Sequence, residues 1–282
     1  MPHSPVIKML LLNSIFKAIT FLGEEIFLLI ILPVVFFSRR RIGLKMAISV
    51  LVSVYIAHLL KPIFRIPRPP KERWKVTASG YSFPSGHAAN SMAFWGYAAY
   101  LIRRRIVLSI LFITVALLIG YSRVYLGVHW WADVIAGWIL GAVVFVIIEI
   151  IDKKYSSIIQ HINYKGKFLL SIIIPIGFIL ASIALIGTSV SEFQAILKVL
   201  STLSGILAGY VIADERKLLL ADTNNIKTIL IRSLIGLFLV IALYILYEVL
   251  KVLTIFIIIP IFWLIGVSVT LFTPYIISRL AK

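Results

Sequence analysis

The chain has no cysteine, which excludes disulfides, thiol nucleophiles and cysteine-ligated metal sites. Charge is scarce. Asp, Glu, Lys and Arg make up 14% of residues, against roughly 25% in soluble domains. Acidic side chains are the scarcer kind, 11 against 28 basic ones, for a net charge of +17. No internal repeat of fixed period is visible, and histidine stops at His161. The N-terminus shows no pattern of a cleaved leader: Lys17 interrupts its apolar run and no small-residue cleavage site follows.

What is abundant is apolar. Hydrophobic residues make up 61% of the chain, and the mean hydropathy is +1.05. A soluble fold of 282 residues could not enclose so large a core, so the composition predicts an all-α, polytopic helical membrane protein. Residues 5–22 are apolar but broken by Lys8, Asn13, Ser14 and Lys17. They read as an amphipathic helix lying in the interface. Apolar runs then follow over 27–37, 47–60, 88–102, 106–121, 130–151, 168–187, 195–213, 228–247 and 252–275. That is about nine spans on a ~20-residue, ~30 Å criterion, or about ten if the first helix also crosses. A polar connector at 152–167 separates a core over 1–152 from a four-span unit over 168–282.

Basic residues set the orientation. The groups at 39–45, 103–105, 153–167, 216–227 and 279–282 alternate with poorly basic turns at 188–194 and 248–251, so all five fall on the cytoplasmic side. Basic charge in a membrane protein marks such loops and headgroup contact rather than nucleic acid. One outer loop breaks the rule. Lys61, Arg65, Arg68, Lys71, Arg73 and Lys75 stand against Glu72 alone. Topology does not explain that cluster; an anionic ligand does.

Three segments meet at this outer face. Lys61 to Pro69 reads K-x6-R-P, Pro84-Ser85-Gly86-His87 opens the third span, and Ser122-Arg123 is followed by His129 and Asp133 at the mouth of the fifth. Ionisable groups beside twenty-residue apolar runs are functional by default. His129 and Asp133 are spaced i, i+4 and share one face of a helix begun near His129. Together the three segments resemble the signature of the type-2 phosphatidate phosphatases, or lipid phosphate phosphatases, a family related to the vanadium haloperoxidases and bacterial acid phosphatases. The resemblance covers roughly 20–151 and does not extend to the C-terminal spans.

The resemblance implies that His129 is a nucleophile forming a phosphohistidine. It implies that His87 first protonates the leaving oxygen and then activates water. The chemistry of the residues agrees. Lys61, Arg68 and Arg123 can neutralise phosphoryl oxygens, the arginines through bidentate forks. Pro84 suits a first helical turn, so that Ser85, Gly86 and His87 present amides to an anion. Gly86 has no side chain to hold a phosphate away. A helix N-terminus disfavours imidazolium at His129, and Asp133 holds its other N–H. No metal or other cofactor is expected, because the cationic trio would repel a cation.

The remaining polar residues have plainer readings. Arg65, Lys71, Arg73 and Lys75 suit loop solubility, headgroup contact or substrate steering. Trp130 and Trp131 suit an interfacial aromatic belt. Ser122 suits a phosphate donor or helix-end cap, and Glu149 and Asp152 suit pairing with local lysines. The expected partners are the bilayer and a lipid phosphate substrate. The first-choice substrate is a polyprenyl diphosphate (undecaprenyl or dolichyl type), with phosphatidate or phosphatidylglycerophosphate next. A lipid-linked phosphotransferase and a transporter or scaffold are the readings of another class. The four C-terminal spans would serve oligomerisation, lipid docking or regulation.

Overall fold

A computed structural model describes residues 5–186, 190–251 and 255–280. Part of the turn expected at 188–194, the start of the last apolar run and the final Lys282 lie outside these residues. The chain is all α, and no strand occurs among the described residues. Lipid offers no partner for backbone polar groups, so apolar segments of this length satisfy their own N–H and C=O groups within helices.

The helices are α1 (Pro5–Phe21), α2 (Glu25–Ser38), α3 (Arg40–Phe64), α4 (Gly86–Ser91), α5 (Tyr97–Leu101), α6 (Ile106–Tyr125), α7 (Trp131–His161), α8 (Tyr164–Ile186), α9 (Val190–Glu215), α10 (Ile226–Leu250), α11 (Ile258–Val267) and α12 (Thr273–Leu280). Among the described residues seven helical segments are long and apolar enough to cross a membrane. Two of the expected spans are shorter. Helix α2 has 14 residues. The expected third span is not one regular helix, because a π turn at Met92–Gly96 separates α4 from α5. At that turn the Met92 side chain packs against the bare Cα of Gly96.

The chain packs as two compact units, neither continuous in sequence. One joins the described part of Met1–Leu29 to Val52–Ile147; the other joins Ile30–Leu51 to the described part of Ile148–Lys282. In the first unit, α7 meets α4 backbone to backbone. A Cβ on Gly137 would come within 2.6 Å of the Ser85 carbonyl oxygen and 2.8 Å of the Ala88 Cβ. Gly141 crosses at the Ala89 carbonyl in the same way. Small residues allow this approach between membrane helices, and it brings the start of α7 to the start of α4. Ala88, Ala89 and Ala93 are fully buried at the crossing.

In the second unit, α9 and α11 cross with Gly205 against the Trp263 carbonyl and Gly266 against the Thr202 carbonyl. The Thr270 hydroxyl donates to the Ile206 carbonyl at 3.1 Å. Glu149 and Asp152 have partners beyond their own helix. These partners lie on α3. Lys45 pairs with both Glu149 and Asp152, and Arg41 reaches Asp152 at 2.9 Å. The reason is burial: Lys45 and Glu149 side chains are only 14% and 11% exposed, and a charge withdrawn from water needs a partner in the same packed environment.

Candidate active site

Three segments build the site in the first unit. Lys61 lies in the last turn of helix α3 and is buried at 9% exposure. The chain leaves the helix at Arg65, which has a left-handed φ of 52°, and enters an irregular connector. Within it Arg68 is clamped by main-chain oxygens. Its Nε donates to the Ser79 and Gly80 carbonyls, its Nη2 to Ser79, and its Nη1 to Val128 at 2.9 Å. The same Nη1 lies 3.1 Å from His129 Nε2.

Helix α4 begins at Gly86 with Ser85 as its cap, the Ser85 hydroxyl accepting from the Ala88 N–H at 3.5 Å. Pro84 therefore precedes the cap instead of occupying the first turn. The Ser85 N–H is not presented to a ligand either: it donates to the Asp133 main-chain oxygen at 2.9 Å, tying α4 to α7. Gly86 keeps its expected character, since a Cβ there would meet nothing within 4 Å. The Nε2 of His87 is shielded from solvent and has no hydrogen-bond partner within the protein.

The third segment differs from expectation by a short register. His129 does not begin a helix; α7 starts at Trp131. Asp133, at the third position of α7, turns back so that its Oδ2 accepts the Trp130 N–H at 2.8 Å and faces His129 Nδ1 at 3.3 Å. This is the acidic half of a capping box, and the same oxygen fixes the histidine. The assignment of protons follows from the neighbours. Arg68 can only donate, so His129 Nε2 is an acceptor carrying a lone pair, and Nδ1 carries the hydrogen facing Asp133. The nitrogen available for attack is Nε2, and Arg68 covers it.

Electrostatics point the same way. Burial is the main force that lowers the His129 pKa. Its hydrogen bond to Asp133 opposes this, Arg68 and Arg123 lower it further, and the charge of Asp133 raises it. The net effect brings the ring to about 4, below the ordinary 6.5. A lowered pKa means the proton is lost above about pH 4, so the ring is neutral and nucleophilic at neutral pH. Histidine-selective NMR, with His129→Ala to assign the resonance, is expected to show a titration midpoint near 4. A midpoint at 6.5 or above would contradict the geometry.

Arg123 is buried at 7% exposure. Its Nη1 donates to the Thr20 hydroxyl of α1 at 2.9 Å, and its Nε has no partner within the protein. Asp133 Oδ1 is likewise unpartnered. Arg123, His129, Lys61 and Arg68 all lie close enough to His87 to act on it electrostatically. Buried polar atoms are nearly always satisfied, so unpaired atoms from separate segments single this place out as a candidate ligand site.

Several candidates have other duties. The Ser122 hydroxyl donates to the Ile119 carbonyl of its own helix at 2.6 Å, which removes it as a phosphate donor. Trp130 is 41% exposed and donates through Nε1 to the Pro67 carbonyl, so it braces the Arg68 loop as well as facing outward. Lys75 lies 3.6 Å over the Tyr125 ring, and its N–H donates to Leu126. Gly127, at φ +74°, lets Arg73 lie against the turn before His129. Thr20 and Asn13 were not recognisable as site-region residues, because nothing local in α1 says which helix it meets.

Two histidines among three cations, at one end of a bundle of apolar helices, define a class: the membrane-embedded lipid phosphatases. Residues 42–156 match the PAP2 superfamily, and the chain belongs to that family. Phosphatidylglycerophosphatase B of Bacillus subtilis is 30% identical over 162 residues, 53% of this chain and 79% of that protein. An undecaprenyl-diphosphatase of Sulfolobus acidocaldarius is 36% identical over 116 residues, 39% of this chain and 55% of that protein. A crystal structure of a transmembrane PAP2 type phosphatidylglycerolphosphate phosphatase from Bacillus subtilis aligns with TM-score 0.46 and 33% identity over 51% of this chain and 77% of that one. The chain thus spans only about half the length of the Sulfolobus relative.

Proposed function

We propose that this protein hydrolyses a lipid phosphate or diphosphate through a phosphohistidine on His129. The observation that carries the reading is the His129 Nε2 set against Arg68, with unpaired Arg123 Nε and His87 Nε2 in the same site. Substrate phosphate displaces the Arg68 Nη1 from His129 and takes up its charge. His129 Nε2 attacks phosphorus, and His87 gives a proton to the departing oxygen. Water, deprotonated by His87, then releases phosphate from His129. Lys61, Arg68 and Arg123 balance the charge spread over the equatorial oxygens. Gly86 leaves room beside the helix N-terminus, and Asp133 holds the His129 ring. These steps draw only on side chains, so activity is expected to survive treatment with a chelator.

The first substrate choice is a polyprenyl diphosphate, presented at the extracytoplasmic face of the cell membrane. The outward basic loop and the Sulfolobus relative support it. Phosphatidylglycerophosphate is the second reading, favoured by the Bacillus relative and its longer match. The functional core is residues 1–152. The spans over 168–282, which lie beyond the family match, support that core by docking lipid or a second copy of the chain. Phosphate release by the purified protein should be compared on undecaprenyl diphosphate, phosphatidylglycerophosphate and phosphatidate. The first is expected to give the highest kcat/KM. A preference for the second lipid selects the second reading, and release from none of them sinks both. A phosphorylated acceptor lipid, detected by mass spectrometry, would instead reveal a phosphotransferase.

A further inference from the structure

Helix α1 does more than lie along the bundle. Its inward positions are Asn13, Phe16 and Thr20, spaced three and four apart and therefore on one face. Asn13 Oδ1 accepts the Tyr125 hydroxyl at 3.0 Å, and Phe16 stacks on the Tyr125 ring with centroids 4.1 Å apart. Lys17, one of the polar residues that break this apolar run, stays exposed. One turn further on, Thr20 is 4% exposed and its hydroxyl accepts from Arg123 Nη1. The chain then turns at Gly23, where a Cβ would lie 3.4 Å from the His87 carbonyl oxygen. Trp95 fixes this turn by donating to the Leu22 carbonyl at 3.3 Å. The end of α1 is thereby a wall of the site.

We infer that Thr20 is a positioning residue for the reaction: it grips Nη1 of Arg123 so that the Nε edge of the guanidinium is presented to the phosphate. The inference rests on the reading of Arg123 as a phosphate ligand. A guanidinium has two ways to meet a tetrahedral anion, end-on through both Nη atoms or side-on through Nε and Nη2. With Nη1 held by Thr20, the side-on fork remains, and Nε is the buried donor that lacks a partner. A threonine suits the task because its β-branch restricts the hydroxyl to few rotamers and its neutral oxygen does not compete with phosphate for the charge of Arg123.

The test is Thr20→Val, which keeps the shape and removes the acceptor, beside Thr20→Ser, which keeps the acceptor and removes a methyl group. Arg123→Ala serves as reference. Inorganic phosphate is the probe, read as a competitive inhibition constant and as a thermal shift of the full chain in detergent. Kinetics on the lipid substrate are measured in parallel. Thr20→Val is expected to weaken phosphate inhibition and kcat/KM roughly tenfold, the scale of one hydrogen bond to a charged group, and Thr20→Ser to recover most of it. The melting temperature without phosphate should stay close to wild type for both. Equal loss in the Ser and Val variants would make Thr20 a packing residue and overturn the inference, as would an unchanged Thr20→Val. If Arg123→Ala also leaves phosphate binding intact, the phosphate role of Arg123 falls first. If Arg123→Ala loses binding while Thr20→Val keeps it, only the role of Thr20 falls.

Discussion

His129→Ala is expected to reduce turnover by at least about 10⁴-fold, because in the proposed mechanism it removes the atom that bonds to phosphorus. No neighbour can take its place. The Ser122 hydroxyl is bound to its own helix, and Asp133 is fixed by Trp130 and His129. The variant should still fold. His129 lies in the bend before α7, and the helix keeps its cap through Asp133 and the Trp130 N–H. Phosphate release and trapping of labelled protein by denaturation at alkaline pH should be measured together. Wild type should carry base-stable, acid-labile label, as a phosphohistidine does, and His129→Ala none. Label retained by the alanine variant would move the nucleophile elsewhere.

His87→Asn should lower kcat by roughly 10² to 10⁴-fold, the usual span for loss of a general acid–base group. Its more telling effect concerns the intermediate. On an alkyl phosphate, both protonation of the leaving oxygen and activation of water need His87, so both halves of the reaction slow. On an aryl phosphate with a good leaving group, the first half needs no proton. The intermediate should then accumulate, visible as a burst of phenol release followed by a slow steady state. In the proposed mechanism the unpartnered His87 Nε2 serves both steps. A His87→Asn protein that gives neither burst nor label would restrict His87 to binding.

The segments of the candidate site were legible because each is local. The spacing of Lys61 to Arg68, the Pro84–His87 run and the interval from Arg123 to Asp133 each lie within a few residues of one helix end. The i, i+4 pairing of His129 with Asp133 survives even though the helix begins two residues late, because the carboxylate turns back to cap it. Seven of the spans were readable for the same reason, since hydropathy sums over neighbours. Where the reading went astray, the deciding contact was distant in sequence. The Ser85 amide is taken by the Asp133 main-chain oxygen. The π turn at Met92–Gly96 also escaped periodicity, since an apolar run reads alike in α and π geometry.

By itself, then, the amino-acid sequence determined a polytopic helical membrane protein of the lipid phosphatase family, with its basic trio and two histidines in chain order. These are properties of composition and short-range spacing. Only the tertiary structure decided that Arg68 covers His129 Nε2, that Gly137 and Gly141 bring α7 onto α4, and that α1 holds Arg123 through Thr20. Each is a contact between segments tens of residues apart. Packing of apolar helices does not require such contacts; which small and polar side chains face each other once the helices have met does.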